Sequence, residues 1–277
     1  IKLSIMKLFK ALLIFWLSAT AAAASAQRAE DSLAITDGPW KVLIDEEGVL
    51  CKKLQTRVFD TLQRISVVEV DPSLYYPLLV QDTLIEKTSQ MGVKNNGVAA
   101  INGGYFKTKT TRAEAADLIK INGKYPRQSH TAGGTGALGI DSLGLLHFAY
   151  VPSTDPEWFD RFPSVLVAGP MLIENGRTIV GNSSRDRHPR SCIGVKKDGT
   201  VVLMTVDGRK EKAAGMSFQE LAYVAHLLGL EQAVNLDGGG SSTLWTKSRN
   251  LVNVPSDKVL IFRSERPVAN GIVMRRR

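Results

Sequence analysis

The stretch SCIGVKKDGTVVLMTVDG, Ser191 to Gly208, decides the fold. Two runs rich in β-branched and apolar residues flank the pair Asp198-Gly199, and Asp-Gly between such runs is a strong local signal for a hairpin of antiparallel strands. The same device recurs along the chain. DLIKINGKYPR turns at Asn122-Gly123, MLIENGRTIV turns at Asn175-Gly176, and LGIDSLGLLHFAYV reads as a strand pair joined around Ser142 and Gly144. ISVVEVD and GVAAINGGYF read as buried strands, with a helix expected between them around Thr83 to Met91. The pattern predicts an α+β fold of mixed, largely antiparallel β-sheets with a few packed helices in a single domain.

The clearest helix is MSFQELAYVAHLLGL. Ser217 followed three residues later by Glu220 forms a capping box, Leu221, Val224, Ala225 and Leu228 supply the apolar stripe, and Gly229 ends it. Glu220 is thereby assigned to the cap rather than to chemistry. His226 falls beside the stripe, as a surface or boundary residue.

The first 26 of 277 residues read as a secretory signal: Lys7 and Lys10, an apolar run from Ala11, and a small-residue end at Ala24, Ser25 and Ala26. The apolar run is short for a membrane span, so a secreted or periplasmic protein is expected, with no stable membrane anchor once residues 1–26 are cut away. Residues 27–277 form the expected domain. The formal charge of +8 includes Lys2, Lys7 and Lys10, so it falls to +5 on cleavage. No stripe of clustered Lys and Arg with aromatics is present, which argues against nucleic acid as a partner. A mild basic excess in an exported protein suits a phosphate-bearing glycan. Cys51 and Cys192 are the two cysteines. A disulfide between them and two separate buried thiols are both open readings.

Chemistry concentrates after the helix, where a short apolar strand delivers NLDGGGSST, Asn235 to Thr243. The phosphate-loop pattern fails for want of a lysine, and the nucleophile-elbow pattern fails because Thr243 stands where glycine is needed. Asp237 has a counterpart in VDGR, Val206 to Arg209, where Asp207 also ends a strand. Two strand-end carboxylates are the equipment of glycoside hydrolysis. Arg190 and Arg209 carry forks that match phosphate oxygens, and successive glycine N–H groups can form an anion nest. INGGYF offers Asn102 for a polar ligand and Tyr105 or Phe106 for stacking, or else a tight turn with core aromatics. Asp207, Asp237 and nearby carbonyls are oxygen ligands suited to calcium or magnesium, although the sequence requires neither.

Taken in order, INGGYF, AGPMLIENG, RHPRSCIGVKKDG, VDGRKEKAAGMSFQELA, AVNLDGGGSSTLW and ERPVANGIV closely resemble the phosphodiester glycosidase family, over about Val42 to Val273. The resemblance implies hydrolysis of the C–O bond of a sugar-1-phosphodiester, such as a GlcNAc-1-phosphodiester, in an exported glycan or envelope polymer. It implies catalytic roles for Asp237 and Asp207, and substrate-binding roles for Asn102, Gly104, Arg190, Arg209, Gly238, Gly239, Gly240, Ser241 and Ser242. Two rival readings stand beside it: a non-catalytic envelope glycan-binding module, and a metal-dependent phosphodiesterase cutting P–O.

Overall fold

A computed structural model describes residues 27–277 apart from His130, Ala132 and 182–184. The expected signal segment, 1–26, lies outside the described residues. The hairpin at Asp198-Gly199 is the centre of the molecule. Strands Arg190–Lys196 and Val201–Val206 pair antiparallel, with Arg190 opposite Val206, inside an eight-stranded sheet. Outward from Val201–Val206 lie Thr61–Val70, Val49–Val58 and Lys41–Glu46; outward from Arg190–Lys196 lie Leu230–Asn235, Met171–Glu174 and Arg177–Thr178.

The run VVLMTV is apolar on both sides because this sheet is covered on both faces. Val201 and Leu203 join one buried cluster, while Val202, Met204 and Val206 join another. The second cluster is closed by Ile35, from a helix over 27–36, and by Leu221, Ala222, Val224 and Ala225 of the helix Phe218–Leu227. Against the first cluster pack two five-stranded sheets. One runs Lys124–Arg127, Ile119–Ile121, Ser164–Ala168, Gly136–Ile140, Leu146–Tyr150; the other runs Asn250–Leu251, Leu244–Thr246, Gly97–Asn102, Val268–Arg276, Tyr75–Glu86. Every strand pairing among the described residues is antiparallel, so the expected sheets carry no parallel pair there.

The capping box forms as the sequence predicts: Ser217 N donates to Glu220 Oε2 at 2.8 Å, and Glu220 N donates to Ser217 Oγ at 3.2 Å. The helix expected around Thr83 to Met91 is displaced. Thr83 to Glu86 extend the strand Tyr75–Glu86, and the helix is Thr88–Lys94, where Lys87 N donates to Gln90 Oε1 at its start. Cys51 and Cys192 are both free thiols in the two different clusters, on opposite faces of the eight-stranded sheet. The sheet between them excludes a bond. Burial pushes their thiols up to about 11 and about 12, so both are inert hydrophobes.

Candidate active site

Register gathers the site. Arg190 opposes Val206 and Cys192 opposes Asn235, so Arg190, Asp207 and Asp237 lie at one end of three adjacent strands. The strand of Arg190 lies between the two that deliver the aspartates. From a neighbouring sheet, Gly97–Asn102 brings INGG to the same end: Gly103 O accepts from Asp237 N at 2.9 Å, and Asn102 Nδ2 donates to Asp237 O at 2.7 Å.

Asp237 is half-buried at this edge. Burial raises its carboxyl above the ordinary range, while Ser241, Arg266 and the Gly238 N–H pull the other way.

Asp207 has a different environment. Its side chain is 0% exposed; Oδ1 accepts from Val254 N at 3.0 Å, and Oδ2 faces Arg64 at 3.5 Å and Lys210 at 3.8 Å. Burial still outweighs those contacts and raises its carboxyl. A carboxylate sealed in and contacted on both oxygens holds the Val254 segment. The structure thus places Asp207, expected as a catalytic residue, as a fully buried brace for the Val254 segment. Two cations on one oxygen also repel a metal ion, so Asp207 fits calcium or magnesium poorly. Among the described residues no group of three or more His, Cys, Asp or Glu side chains is placed to hold a metal.

The three glycines also differ from the expected anion nest. Gly239 N donates to Pro189 O at 2.9 Å, and the Gly238 N–H turns to the Asp237 carboxyl. Their shared property is space. A β-carbon on Gly238 would meet Pro189 O at 2.7 Å; on Gly239, whose φ is +62°, it would lie 3.1 Å from the Arg209 guanidinium; on Gly240 it would meet Arg266 at 2.1 Å and Asp257 at 2.2 Å. The loop is stripped of side chains so that two guanidiniums can lie against it.

Arg209 is exposed and adopts φ +59°, a left-handed conformation uncommon for a non-glycine residue. Its Nη2 lies 3.4 Å from His188 Nδ1. Arginine only donates, so Nδ1 is the accepting nitrogen and the proton of the neutral ring sits on Nε2. Burial, with Arg190 and Arg209 nearby, lowers the His188 pKa and keeps the ring neutral. Arg266 is held by Asp257 through bonds of 2.8 and 3.1 Å.

Arg190, Asn102, Gly104, Ser241 and Ser242 are brought to this end of the fold, but not as surfaces for a ligand. Arg190 is 7% exposed; its Nε donates to Met216 O at 2.8 Å, its Nη2 to Asp186 O at 3.1 Å, and its plane stacks 3.9 Å from the Phe218 ring centre. The expected phosphate contact thus has its guanidinium turned to the Met216 and Asp186 carbonyls. Asn102 is 0% exposed and its Oδ1 accepts from Ser191 Oγ and Thr243 N, so it pins two loops together rather than orienting a sugar. Gly104 donates to Asn270 Oδ1 at 2.8 Å. Ser241 and Ser242 are sealed at 0% and 1% exposure. Tyr105 donates to Gly169 O at 2.7 Å, and burial together with the Asp237 charge pushes its phenol up to about 12. Phe106 belongs to a core cluster.

Arg266 and Asp257 are the site residues that motif reading passed over. Arg266 stood inside the quoted ERPVANGIV, but nothing local distinguishes it from a surface arginine. The signal was Gly240, whose missing side chain it needs.

The sequence model of phosphodiester glycosidases matches residues 95–275. The chain belongs to the phosphodiester glycosidase family. Among curated relatives of this chain, the N-acetylglucosamine-1-phosphodiester alpha-N-acetylglucosaminidase of Bos taurus is 28% identical over 180 residues, 57% of this chain and 32% of that protein. The Mus musculus enzyme of the same name is 25% identical over 224 residues, 73% of this chain and 41% of that one. The chain thus spans less than half the length of these mammalian relatives. In fold, the chain is similar to the catalytic domain of the zebrafish enzyme, with a TM-score of 0.69 at 21% identity, covering 85% of this chain and 86% of that one. The family match begins at residue 95, yet strands from Lys41 to Val70 belong to the same central sheet, so the folded unit extends further toward the N-terminus.

Proposed function

We propose that this glycosidase hydrolyses the C–O bond between an anomeric carbon and the phosphate of a sugar-1-phosphodiester, with a GlcNAc-1-phosphodiester as the reference substrate and an exported glycan or envelope polymer as its setting. The carrying observation is the loop Asp237 to Gly240, where one half-buried carboxyl lies beside two guanidiniums that the glycines admit. The names of the mammalian relatives support the choice of sugar. The export rests on the reading of residues 1–26.

Asp237 acts at the anomeric carbon, as nucleophile or as base for water. The C1–O bond breaks with its electron pair going to the phosphate oxygen, and a water oxygen ends on C1. A phosphomonoester is a good leaving group, so no strong general acid is required. Arg209 and Arg266 take the phosphate oxygens, and the charge that develops there is met by groups already in place. His188, neutral and protonated on Nε2, donates from the same side. Asn102 holds the loop that carries Asp237, and Arg190 holds the Met216 and Asp186 carbonyls. This assigns one catalytic carboxylate where two were expected.

Hydrolysis in heavy-oxygen water tests the bond assignment. Label in the released sugar supports cleavage at carbon; label in the phosphate establishes a phosphodiesterase instead. Arg209→Ala should depress turnover of a sugar-1-phosphodiester at least about tenfold more than that of an aryl glycoside, since a charged contact is lost only on the former. Equal losses on both substrates would remove Arg209 from phosphate recognition.

A further inference from the structure

The Asp237–Gly240 loop supports a hairpin that the glycosidase chemistry does not use. Lys258–Val259 pairs antiparallel with Phe262–Arg263, as a two-stranded sheet apart from the three large ones. Its base is tied to the site: Ser256 Oγ donates to Gly239 O at 3.1 Å, Ser264 N donates to Asp257 O at 3.1 Å, and Asp257 holds Arg266 against Gly240. Its tip is bare. Leu260, Ile261 and Phe262 are consecutive and 88, 82 and 69% exposed, the first two being the most exposed large hydrophobic residues among those described.

The charges beneath the tip are equally unfavourable for a free hairpin. Lys258 and Arg263 are direct cross-strand partners, and like charges placed opposite each other destabilise a strand pair. Neither has a carboxylate partner among the described residues. Arg263 donates to Ser256 O at 3.0 Å and lies near enough to Lys210 to weaken that residue's hold on its proton. An apolar tip above a pair of unneutralised cations calls for a partner that is apolar in depth and anionic at its surface.

We propose that this hairpin docks the protein on an anionic lipid bilayer, with Leu260, Ile261 and Phe262 entering the interface and Lys258 and Arg263 meeting the headgroup phosphates. Each cation stands about two residues from the turn, which at a strand rise of about 3.3 Å per residue is about 7 Å, within the depth that interfacial segments reach. A second copy of the chain is the poorer occupant. Tip-to-tip pairing about a two-fold axis would bring four cations together. A hairpin rooted at Gly239 and Gly240 would hold the Asp237 loop close to the bilayer surface, so the favoured substrates are phosphodiesters presented there. The docking itself does not depend on the chemistry at Asp237.

The test is co-sedimentation of the chain with vesicles of phosphatidylcholine containing roughly one-third phosphatidylglycerol, against pure phosphatidylcholine. The wild type should bind the anionic vesicles and bind the neutral ones far less. Replacing Leu260, Ile261 and Phe262 together by serine should abolish binding with no change in thermal midpoint. Lys258→Glu and Arg263→Glu should each weaken it by about fivefold or more. Ile261→Trp supplies an independent signal, a blue shift of the introduced indole's emission on anionic vesicles. Overturning results are wild-type protein that stays in the supernatant, a serine variant that binds as well as wild type, or an indole emission in the Ile261→Trp variant that lipid leaves unmoved. A wild type that elutes as a dimer while the serine variant elutes as a monomer would likewise overturn it, by assigning the tip to self-association.

Discussion

Asn102 donates its carboxamide N–H to the backbone carbonyl of Asp237 at 2.7 Å, so the end of one sheet sets the position of a residue delivered by another. The same side chain accepts from Ser191 Oγ at 2.8 Å and from Thr243 N at 3.1 Å. Asn102 itself is 0% exposed. Asn102→Ala would leave three buried groups to find partners, and an orphaned buried polar group costs about 1–3 kcal/mol. We expect a loss of roughly 3 kcal/mol in denaturant unfolding, with kcat reduced more than KM is raised, because Asp237 moves while the exposed Arg209 stays. A variant with normal kcat would show that the pin does not govern Asp237.

Asp237→Asn should separate stability from activity. Burial raises this carboxyl in the folded chain above its ordinary value of 3.8, so the native state binds more protons than the unfolded state in the window above that value. Stability therefore falls as pH rises through that window, and the charged form at neutral pH is a burden on the fold. The asparagine variant should melt higher than wild type at pH 7 and lose that advantage as pH drops toward about 4. Its turnover of a sugar-1-phosphodiester should fall by at least about a thousandfold. In the wild type, the acidic limb of kcat/KM should lie above the ordinary aspartate range. Unchanged turnover in the variant would remove Asp237 from the mechanism.

Much of the framework was legible because its signals are local. Asp198-Gly199, Asn122-Gly123 and Asn175-Gly176 each sit in the turn of an observed hairpin, and Ser217 with Glu220 caps the observed helix. The helix near Thr83 was misplaced because QDTLIE serves either a strand or a helix, and pairing with Val268–Arg276 decides for the strand. The site was half legible. Sequence places Asp207 and Asp237 at strand ends but cannot say that Asp207 turns into a pocket formed by its near neighbour Lys210 together with Arg64 and Val254, which are distant along the chain. Nor can it show that Gly240 exists to admit Arg266 from a later segment of the chain. Polar character alone could not separate Arg190, which is buried on Phe218, from Arg209, which is exposed.

Asp207 allows a comparison of two substitutions. Asparagine keeps an oxygen for the Val254 N–H and gives up only the distant contacts to Arg64 and Lys210. Alanine leaves the Val254 amide and both cations without their shared acceptor, a loss of about 2–4 kcal/mol. Asp207→Asn should therefore retain activity within about tenfold of wild type, far above the Asp237→Asn level. Equal inactivation by the two asparagine variants, each folded by circular dichroism, would return Asp207 to the chemistry.

Gly239 and Gly240 test whether the glycine run exists for space rather than for amide contacts. At Gly239 an alanine meets both a positive φ and the tip of Arg209, the far end of a long, rotatable side chain. The cost to the fold is then about 1 kcal/mol for the backbone conformation, and the main effect is a misplaced guanidinium. At Gly240 the added carbon would lie 2.1 Å from Arg266 and 2.2 Å from Asp257, so it must break the ion pair that holds Arg266. Gly240→Ala should consequently raise KM for a phosphodiester more than Gly239→Ala does, while both leave KM for an uncharged aryl glycoside within about threefold. The decisive control is Gly240→Ala combined with Arg266→Ala. If Gly240 only makes room for Arg266, the double variant should be no worse than Arg266→Ala alone, because the carbon then has nothing left to displace but Asp257. A further loss in the double variant would assign the Gly240 backbone a contact with substrate of its own.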